Sequence, residues 1–473
     1  MTFTTFEFFL FFAVVLILNW YLKRWPLIWR LFLFASSYYF YSILDVRFLL
    51  IIFGVSVFNF FAGKFISEDS FKFKKILFIY SIAANLLVLG LFKYYDFFRV
   101  SIESFLGKMG LAISLPVLAI ILPVGLSFYI FRTISYIIDV YRKKIKPCKS
   151  ILDFSIYVAF FPQLLSGPIS RADEFLPQLE NGGAKEIDNL YGNVSLVLLG
   201  LFKKLVISSY LALNLTDDVF AVPQNHSSLA IFLAIFAYSL VIYFDFSGYT
   251  DLAIGFAGLM GFKSPINFNM PYMSQNIQDF WRRWHITLSN WVRDYIYIPL
   301  GGSRKGKIRQ YLNLMITMIL VGLWHGSATH FIFWGFLQGI GLAVTHIYSD
   351  RKKEVSQTLP QKKWKNILNW SLTFNFISFS WIFFRSETFG NGIILIKNLF
   401  NFGKIVEPFQ IYIIAVMALG FLLFLFEKQI TKKLTDFQQK LSLFPWITFV
   451  ILAIILLFEL SPDILPSFIY FSF

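Results

Sequence analysis

The stretch LAIFLAIFAYSLVIYFDFS, residues 229–247, contains one charged residue in nineteen positions. A helix needs about 20 apolar residues to cross the hydrocarbon core of a bilayer, which is about 30 Å thick. This stretch therefore predicts a transmembrane helix. Comparable apolar segments occupy most of the remaining chain, at residues 5–22, 27–43, 45–66, 76–92, 115–140, 190–212, 311–324, 331–347, 369–384, 412–427 and 444–460.

The composition agrees with this interpretation along the whole chain. Of the 473 residues, 57% are hydrophobic and only 15% are charged, and the mean hydropathy is +0.65. A water-soluble protein with so few charges could not cover its own surface. We therefore predict an all-α polytopic integral membrane protein with about 11–12 transmembrane helices plus re-entrant and interfacial helices. No linker or internal repeat is evident, so residues 1–473 are predicted to form a single transmembrane domain.

Basic residues predict the orientation of the chain in the membrane. Lys and Arg collect in loops on the cytoplasmic side, so the net charge of +15 indicates contact with anionic membrane lipid, not nucleic acid. The first basic cluster follows one span, which places the N-terminus outside and makes residues 93–114 and 213–228 external connections. The clusters are Lys23–Arg24, Lys72 to Lys75, Arg142 to Lys146, Arg304 to Arg309, Arg351 to Lys353 with Lys362 to Lys365, and Lys428 to Lys433.

Two segments depart from the pattern of a simple span. Residues 153–168, DFSIYVAFFPQLLSGP, end in Gly-Pro and predict a re-entrant segment beside a functional cavity. Residues 280–300, FWRRWHITLSNWVRDYIYIPL, predict one helix in the membrane interface, with aromatic residues on one side and polar residues on the other. An ordinary amphipathic core helix has the same periodicity. The aromatic side carries Trp281, Trp284, Trp291 and Tyr295, the polar side carries Arg282, Arg283, Arg293 and Asp294, and His285 lies at the edge.

Histidine is the side chain best suited to take a proton from a hydroxyl near neutral pH. The sequence GLWHG, residues 322–326, places His325 within an apolar span and between two glycines that permit close approach of backbone or substrate. A hydrogen-bonded structural histidine explains this position equally well. His226 is interpreted as solvated and His346 as interfacial, and no carboxylate has the spacing of a metal site with His330.

Other motifs of soluble enzymes are missing from the sequence. It contains no G-x-S-x-G or H-E-x-x-H, and the single cysteine, Cys148, excludes an internal disulfide. Residues 301–308, GGSRKGKI, resemble a phosphate-binding loop but end in Ile where Ser or Thr is needed. They are interpreted as a basic cytoplasmic turn that attracts a phosphorylated donor by charge alone.

Several motifs together resemble the membrane-bound O-acyltransferases, in particular the bacterial branch that O-acetylates alginate and peptidoglycan. Besides residues 281–302 and GLWHG, the resemblance lies in PVGLSFYIFRTISYIIDVYR (residues 123–142), FFPQLLSGPISR (160–171), GLFKKLVI (200–207), YFDFSGYTD (243–251) and WIFFR (381–385). The resemblance implies a ring of tilted helices around a central tunnel, with His325 as the catalytic histidine and His285 as a second signature residue. Arg132 stands where this branch carries Gln.

The resemblance also implies a function. Acetyl-CoA, a donor and not a bound cofactor, would enter on the cytoplasmic side near Arg282, Arg283 and the 301–309 turn, and His325 would act as general base on a hydroxyl. A secreted hydrolase-like acetyltransferase would carry the group to a polysaccharide or peptidoglycan outside the bacterial inner membrane. Trp281, Trp324, Asp245 and Tyr249 complete the predicted substrate-binding residues, and no metal is expected. The alternatives are a transporter or flippase, acylation of a lipid or protein, and an inactive scaffold, which the two histidines disfavour.

Overall fold

The structure is a computed structural model that describes residues 1–111, 113–117, 122–355, 363–403 and 411–471, with the side chains of 351–355 and 471 excluded. The described residues form helices and turns and no strand. Seven of the described helices are long and apolar enough to cross a membrane, and two shorter apolar helices accompany them. The prediction of an all-α polytopic protein is confirmed, whereas the ring around a central tunnel stays a prediction.

The helices follow one another with short connections. They are α1 (Phe6–Leu22), α2 (Pro26–Ser42), α3 (Arg47–Ser67), α4 (Lys74–Lys108), α5 (Leu126–Tyr141), α6 (Ile151–Ala159), α7 (Phe161–Leu164), α8 (Ala172–Glu180), α9 (Leu190–Ala221), α10 (Ser228–Leu259), α11 (Ile277–Arg283), α12 (Ile286–Val292), α13 (Lys307–His325), α14 (Thr329–Val355), α15 (Lys363–Arg385), α16 (Phe389–Leu399), α17 (Ile411–Gln439) and α18 (Leu443–Glu459). Helix α9 contains two π-helical stretches, Phe202–Ser208 and Ala212–Thr216.

Two compact units make up the chain. The first comprises Met1–Val194 and Leu252–Pro265, and the second comprises Ser195–Asp251 and Ile266–Phe473. Each unit is described by itself below, and the single domain expected for residues 1–473 stays a prediction.

Each predicted span contains a helix, but the connection predicted at residues 93–114 is wrong in its first part. Helix α4 continues to Lys108. Charged residues interrupt the apolar pattern here, yet they support the helix: Arg99 pairs with Asp96 at 3.1 Å and with Glu103 at 3.0 Å, one turn away on either side. Residues 118–121 of the predicted span 115–140 lie outside the described residues.

The predicted continuous helix over residues 280–300 is also wrong, because the chain breaks at Trp284 and His285. Trp284 is extended and His285 has a left-handed conformation with φ of 41°. Bonds to Asn267 replace the helical hydrogen bonds: the Ile286 N–H donates to its carbonyl at 2.9 Å, and the Thr287 N–H donates to its Oδ1 at 3.2 Å. The two-sided character is confirmed, since Trp284, Trp291 and Tyr295 are buried and Trp281 is half-buried, while Arg282 and Arg293 are exposed.

The predicted re-entrant segment is a broken pair of short buried helices, α6 and α7, which separate at Phe160. A break in an apolar interior leaves carbonyls without helical partners. The buried guanidinium of Arg132 satisfies several of them, donating to the carbonyls of Tyr157 at 2.9 Å, Gln163 at 3.2 Å and Pro168 at 3.4 Å. Arg132 therefore holds the break in place.

Replacing Arg132 by Ala is expected to destabilise the first unit by about 3 kcal/mol, because several buried carbonyls lose a charged donor at once. Cys148, the only cysteine in the chain, is 5% exposed and reports unfolding by its reaction with a thiol-specific dye on heating. The exposed Arg142, changed to Ala, is the matched control. Equal unfolding temperatures for the two variants would contradict this role.

Candidate functional site

His325 is the last residue of α13, and glycines set its position against α14. A Cβ on Gly322 would lie 2.3 Å from the carbonyl oxygen of Phe331, and one on Gly335 would lie 2.3 Å from that of Met318. Any side chain at either position would therefore force α13 and α14 apart. Of the two glycines that flank His325, Gly322 therefore serves close approach of backbone, one of the two uses expected, whereas a side chain on Gly326 would meet the ring of Phe331.

Aromatic rings enclose the imidazole of His325, which is 4% exposed. Ring centroids lie at 4.5 Å for Trp324, 4.9 Å for Phe384, 5.1 Å for Trp334 and 5.7 Å for Tyr470. Phe384 and Trp334 meet the imidazole edge to face. Such an enclosure excludes water and fixes the orientation of a proton-transferring group.

His285 lies between α11 and α12, outside the candidate spans, and is 1% exposed. Its Nδ1 is 3.0 Å from Oδ1 of Asn267. That oxygen also accepts from the N–H and Oγ1 of Thr287, which identifies it as the amide oxygen. Nδ1 therefore carries the proton and Nε2 carries the lone pair. Burial lowers the pKa of His285 to about 3, so the ring is neutral at physiological pH.

The two histidines approach the same side chain, Tyr470. Its ring centroid is 5.7 Å from that of His325 and 6.3 Å from that of His285, and Phe246 packs on both Tyr470 and His285 at 4.6 and 4.7 Å. The structure thus brings the two predicted histidines into one aromatic cluster. Sequence reasoning missed Tyr470 and Asn267, since neither lies in a motif that singles out a histidine partner.

A cavity of about 410 Å³ opens beside this cluster. Its lining includes Trp281, Arg282, Arg293, Ser303 and Val321. Val321 lies about one helical turn before His325 on α13. The cavity therefore extends from the basic turn at residues 301–309 to within a turn of His325.

Trp281 connects this cavity to the aromatic enclosure. Its indole N–H donates to Oε1 of Gln338 at 3.2 Å, and its ring lies 6.0 Å from that of Trp334, which touches His325. Arg282 lines the cavity and is exposed, whereas Arg283 pairs with Asp279 at 2.9 Å.

Asp245 and Tyr249 contact a segment that the sequence did not connect with them. Asp245 forms an ion pair with Lys204 and accepts from the N–H of Ile469 at 2.7 Å, and Tyr249 packs on Phe468 at 4.4 Å. The roles of these residues and of the other predicted site residues in substrate binding stay predictions.

The remaining histidines have local partners. Nδ1 of His330 donates to the carbonyl of Phe383 at 2.8 Å, His226 lies 3.3 Å from Asp218, and His346 lies 3.3 Å from Gln310. Within the described ranges, no three His, Cys, Asp or Glu side chains are grouped as around a metal ion.

Known proteins share this sequence pattern. Residues 143–385 match the family described as MBOAT, membrane-bound O-acyltransferase family. A probable alginate O-acetylase of Pseudomonas aeruginosa is 39% identical over 79% of this chain and 70% of its own length. A peptidoglycan O-acetyltransferase of Helicobacter pylori is 36% identical over 79% of this chain and 74% of its own. A teichoic acid D-alanyltransferase of Bacillus subtilis is 31% identical over 56% of this chain and 69% of its own.

The long apolar helices together with the family match define a multi-pass membrane transferase. The chain belongs to the membrane-bound O-acyltransferase family, and it is an O-acyltransferase.

Burial of His285 predicts a pH-dependent stability. The folded pKa of about 3 lies below the ordinary value of about 6.5, so the unfolded chain binds more protons between these values. The contribution of the neutral, buried His285 to the free energy of unfolding is fully present above pH 6.5 and is lost as the pH falls towards 3. Between pH 7 and pH 5 the loss is about 2 kcal/mol.

The pH-dependent contribution of His285 can be measured by comparing the unfolding of wild type and of His285→Asn in detergent at pH 5 to 8. Asn does not titrate and tolerates the left-handed backbone at this position. The wild type should lose more stability on acidification than the variant does. Identical pH profiles would contradict the assignment of a neutral, buried His285.

Proposed function

We propose that this chain transfers an acetyl group from cytoplasmic acetyl-CoA to a hydroxyl on the far side of a bacterial inner membrane, for O-acetylation of a polysaccharide or peptidoglycan. The observation that carries the proposal is the enclosed imidazole of His325 within about one helical turn of Val321, which lines a cavity together with Arg282 and Arg293. The relatives that O-acetylate alginate and peptidoglycan support the same reaction.

The proposed chemistry is a transfer from a thioester to an oxygen ester. The accepting hydroxyl oxygen attacks the thioester carbonyl carbon, the carbon–sulfur bond breaks, and the hydroxyl proton passes through His325 to the departing sulfur. No net proton is released. Water would compete for the same carbonyl, so the rings of Trp324, Trp334 and Phe384 favour transfer over hydrolysis by excluding it.

His285 suits a fixed polar role in this reaction. Its neutral ring and its bond to Asn267 place the lone pair on Nε2 and fix the orientation of that nitrogen. Such an acceptor positions a hydroxyl or a donor N–H group without gaining charge between pH 5 and 8. We assign it positioning, and we assign proton transfer to His325.

The charge of the cavity favours acetyl over D-alanyl as the transferred group. A D-alanyl thioester carries an ammonium, for which a carboxylate is the natural partner. The described residues that line the cavity include no carboxylate and two arginines, Arg282 and Arg293, of which Arg293 pairs with Asp294 at 2.8 Å outside the lining. The phosphates of a nucleotide thioester match these arginines.

We assign delivery to the polymer to a secreted hydrolase-like acetyltransferase, which takes the group on a serine. A transporter or flippase would pass its substrate unmodified and gives no reason for an enclosed histidine. Acylation of a lipid or a protein differs only in the acceptor.

Transfer in proteoliposomes tests the proposal. With radiolabelled acetyl-CoA on the cytoplasmic face, wild type should place label on a lumenal acceptor or a co-reconstituted partner. His325→Ala should lose about 10²- to 10⁴-fold of this rate while staying folded, the usual contribution of a general base. His330→Asn, which keeps a donor for the Phe383 carbonyl, is the matched histidine control. Near-normal transfer by His325→Ala would contradict the assignment of His325 as the general base. Solute flux across the vesicle membrane without acetyl transfer would favour the transporter alternative.

Arg282 provides a test of the donor. Arg282→Ala should raise KM for acetyl-CoA about tenfold at unchanged kcat, since one phosphate contact is worth about 1.4 kcal/mol. The KM for acetyl-pantetheine, which lacks the phosphates, should not change. An equal effect on both donors would show that Arg282 does not bind phosphate.

A further inference from the structure

We propose that residues 461–470 form a fixed wall of the acyl-transfer site and that the Lys204–Asp245 ion pair holds this wall against the two histidines. The inference rests on the proposed function, because it gives a positioning role in that reaction to residues that do not touch the reacting atoms.

The ion pair is deeply buried and binds main chain. Lys204 and Asp245 are 1% and 3% exposed. Besides contacting each other, Lys204 donates to the carbonyl of Pro466 at 2.9 Å, and Asp245 accepts from the N–H of Ile469 at 2.7 Å. Each charged group therefore uses part of its remaining hydrogen-bonding capacity on the segment, which is clamped at two points three residues apart.

The two bonds from Lys204 and Asp245 to the main chain of the segment are called the clamp here. They orient the segment so that its aromatic rings face the site. Phe468, 1% exposed, packs on Tyr249 at 4.4 Å and on Phe246 at 5.9 Å. Tyr470 follows it and reaches both histidines. Its ring also lies 6.0 Å from Trp324, so the wall completes the enclosure of His325.

The neighbouring lysine shows that this arrangement is particular to Lys204. Lys203 is fully buried too, but its ammonium contacts two carboxylates, Asp251 and Glu427, both at 2.6 Å. Lys203 thus joins helices α9, α10 and α17 through side chains. Lys204 and Asp245 instead bond the main chain of a segment that lies outside the α-helices, and this attaches the wall to α9 and α10.

A fixed wall has a chemical consequence. If residues 461–470 are displaced from the site, the imidazole of His325 becomes exposed to water. Water then attacks the thioester carbonyl in place of the accepting hydroxyl. Loss of the clamp should therefore lower transfer and raise hydrolysis of the donor, whereas a purely structural ion pair would change the amount of folded protein and leave the ratio of transfer to hydrolysis constant.

The main-chain bond can be removed without touching either charged residue. Ile469→Pro deletes the N–H that Asp245 accepts and suits the first position of the short helical turn Ile469–Phe471. Ile469→Ala removes the same side chain but keeps the N–H. The ratio of transfer to hydrolysis should be at least tenfold lower in Ile469→Pro than in Ile469→Ala, at the same unfolding temperature. Equal ratios in the two variants would overturn the proposal.

Charge reversal separates the clamp from the ion pair. In the double variant Lys204→Asp with Asp245→Lys, attraction between the two residues is retained. The new carboxylate cannot donate to the Pro466 carbonyl, and the new ammonium cannot accept from the Ile469 N–H. A folded double variant with low transfer supports the proposal, and restored transfer overturns it. If the double variant fails to fold, the Ile469 pair alone decides.

Failure of this inference differs from failure of the proposed function. If wild type and Ile469→Pro transfer acetyl equally well, the proposal that residues 461–470 form a fixed wall is wrong, and the assignment of the chain as an acetyltransferase stands. If wild type itself transfers no label, with partner and donor present, the proposed function fails first.

Discussion

Backbone that leaves a helix inside an apolar interior must find hydrogen-bond partners other than water, and this constraint governs the functional parts of the chain. In the first unit the guanidinium of Arg132 collects the carbonyls freed between α6 and α7. In the second unit Asn267 replaces the helical bonds lost at His285. Arg132 attaches its segment by a buried side chain, and Asn267 attaches the other by a buried side chain together with its main-chain carbonyl. A substitution at such a side chain therefore releases a segment and not a single contact.

The same constraint explains the state of the two histidines. The conformation that breaks the helix at His285 also brings its Nδ1 to the amide oxygen of Asn267, so one residue sets both the backbone and the tautomer. His325 is set differently, by a helix end that glycines press against α14. The ring of His325 is enclosed by aromatic side chains, whereas the ring of His285 has one nitrogen assigned by its bond to Asn267.

The sequence predicted what depends on local composition. Helix positions follow from apolar length, and the two histidines follow from their motifs. It did not predict the break at His285, because the partner Asn267 lies 18 residues away and periodicity averages over it. The predicted span ended at residue 92, well before the end of α4, because Asp96, Arg99 and Glu103 resemble loop residues until their spacing of one helical turn is recognised. Tyr470 was missed because nothing in the sequence says where residues 461–470 pack.

The lysine pair at 203 and 204 shows how far charge counting can mislead in a membrane protein. Adjacent lysines ordinarily indicate a cytoplasmic loop, yet both are buried within the π-helical stretch of α9. Burying two ammonium groups is costly unless anions accompany them. Asp245, Asp251 and Glu427 supply these anions, and the Tyr243 hydroxyl donates to Glu427 at 2.7 Å, which stabilises the excess negative charge. Because these ammonium and carboxylate groups come from α9, α10 and α17, and Lys204 and Asp245 also bond the main chain of residues 461–470, the cluster fixes three helices and one irregular segment together.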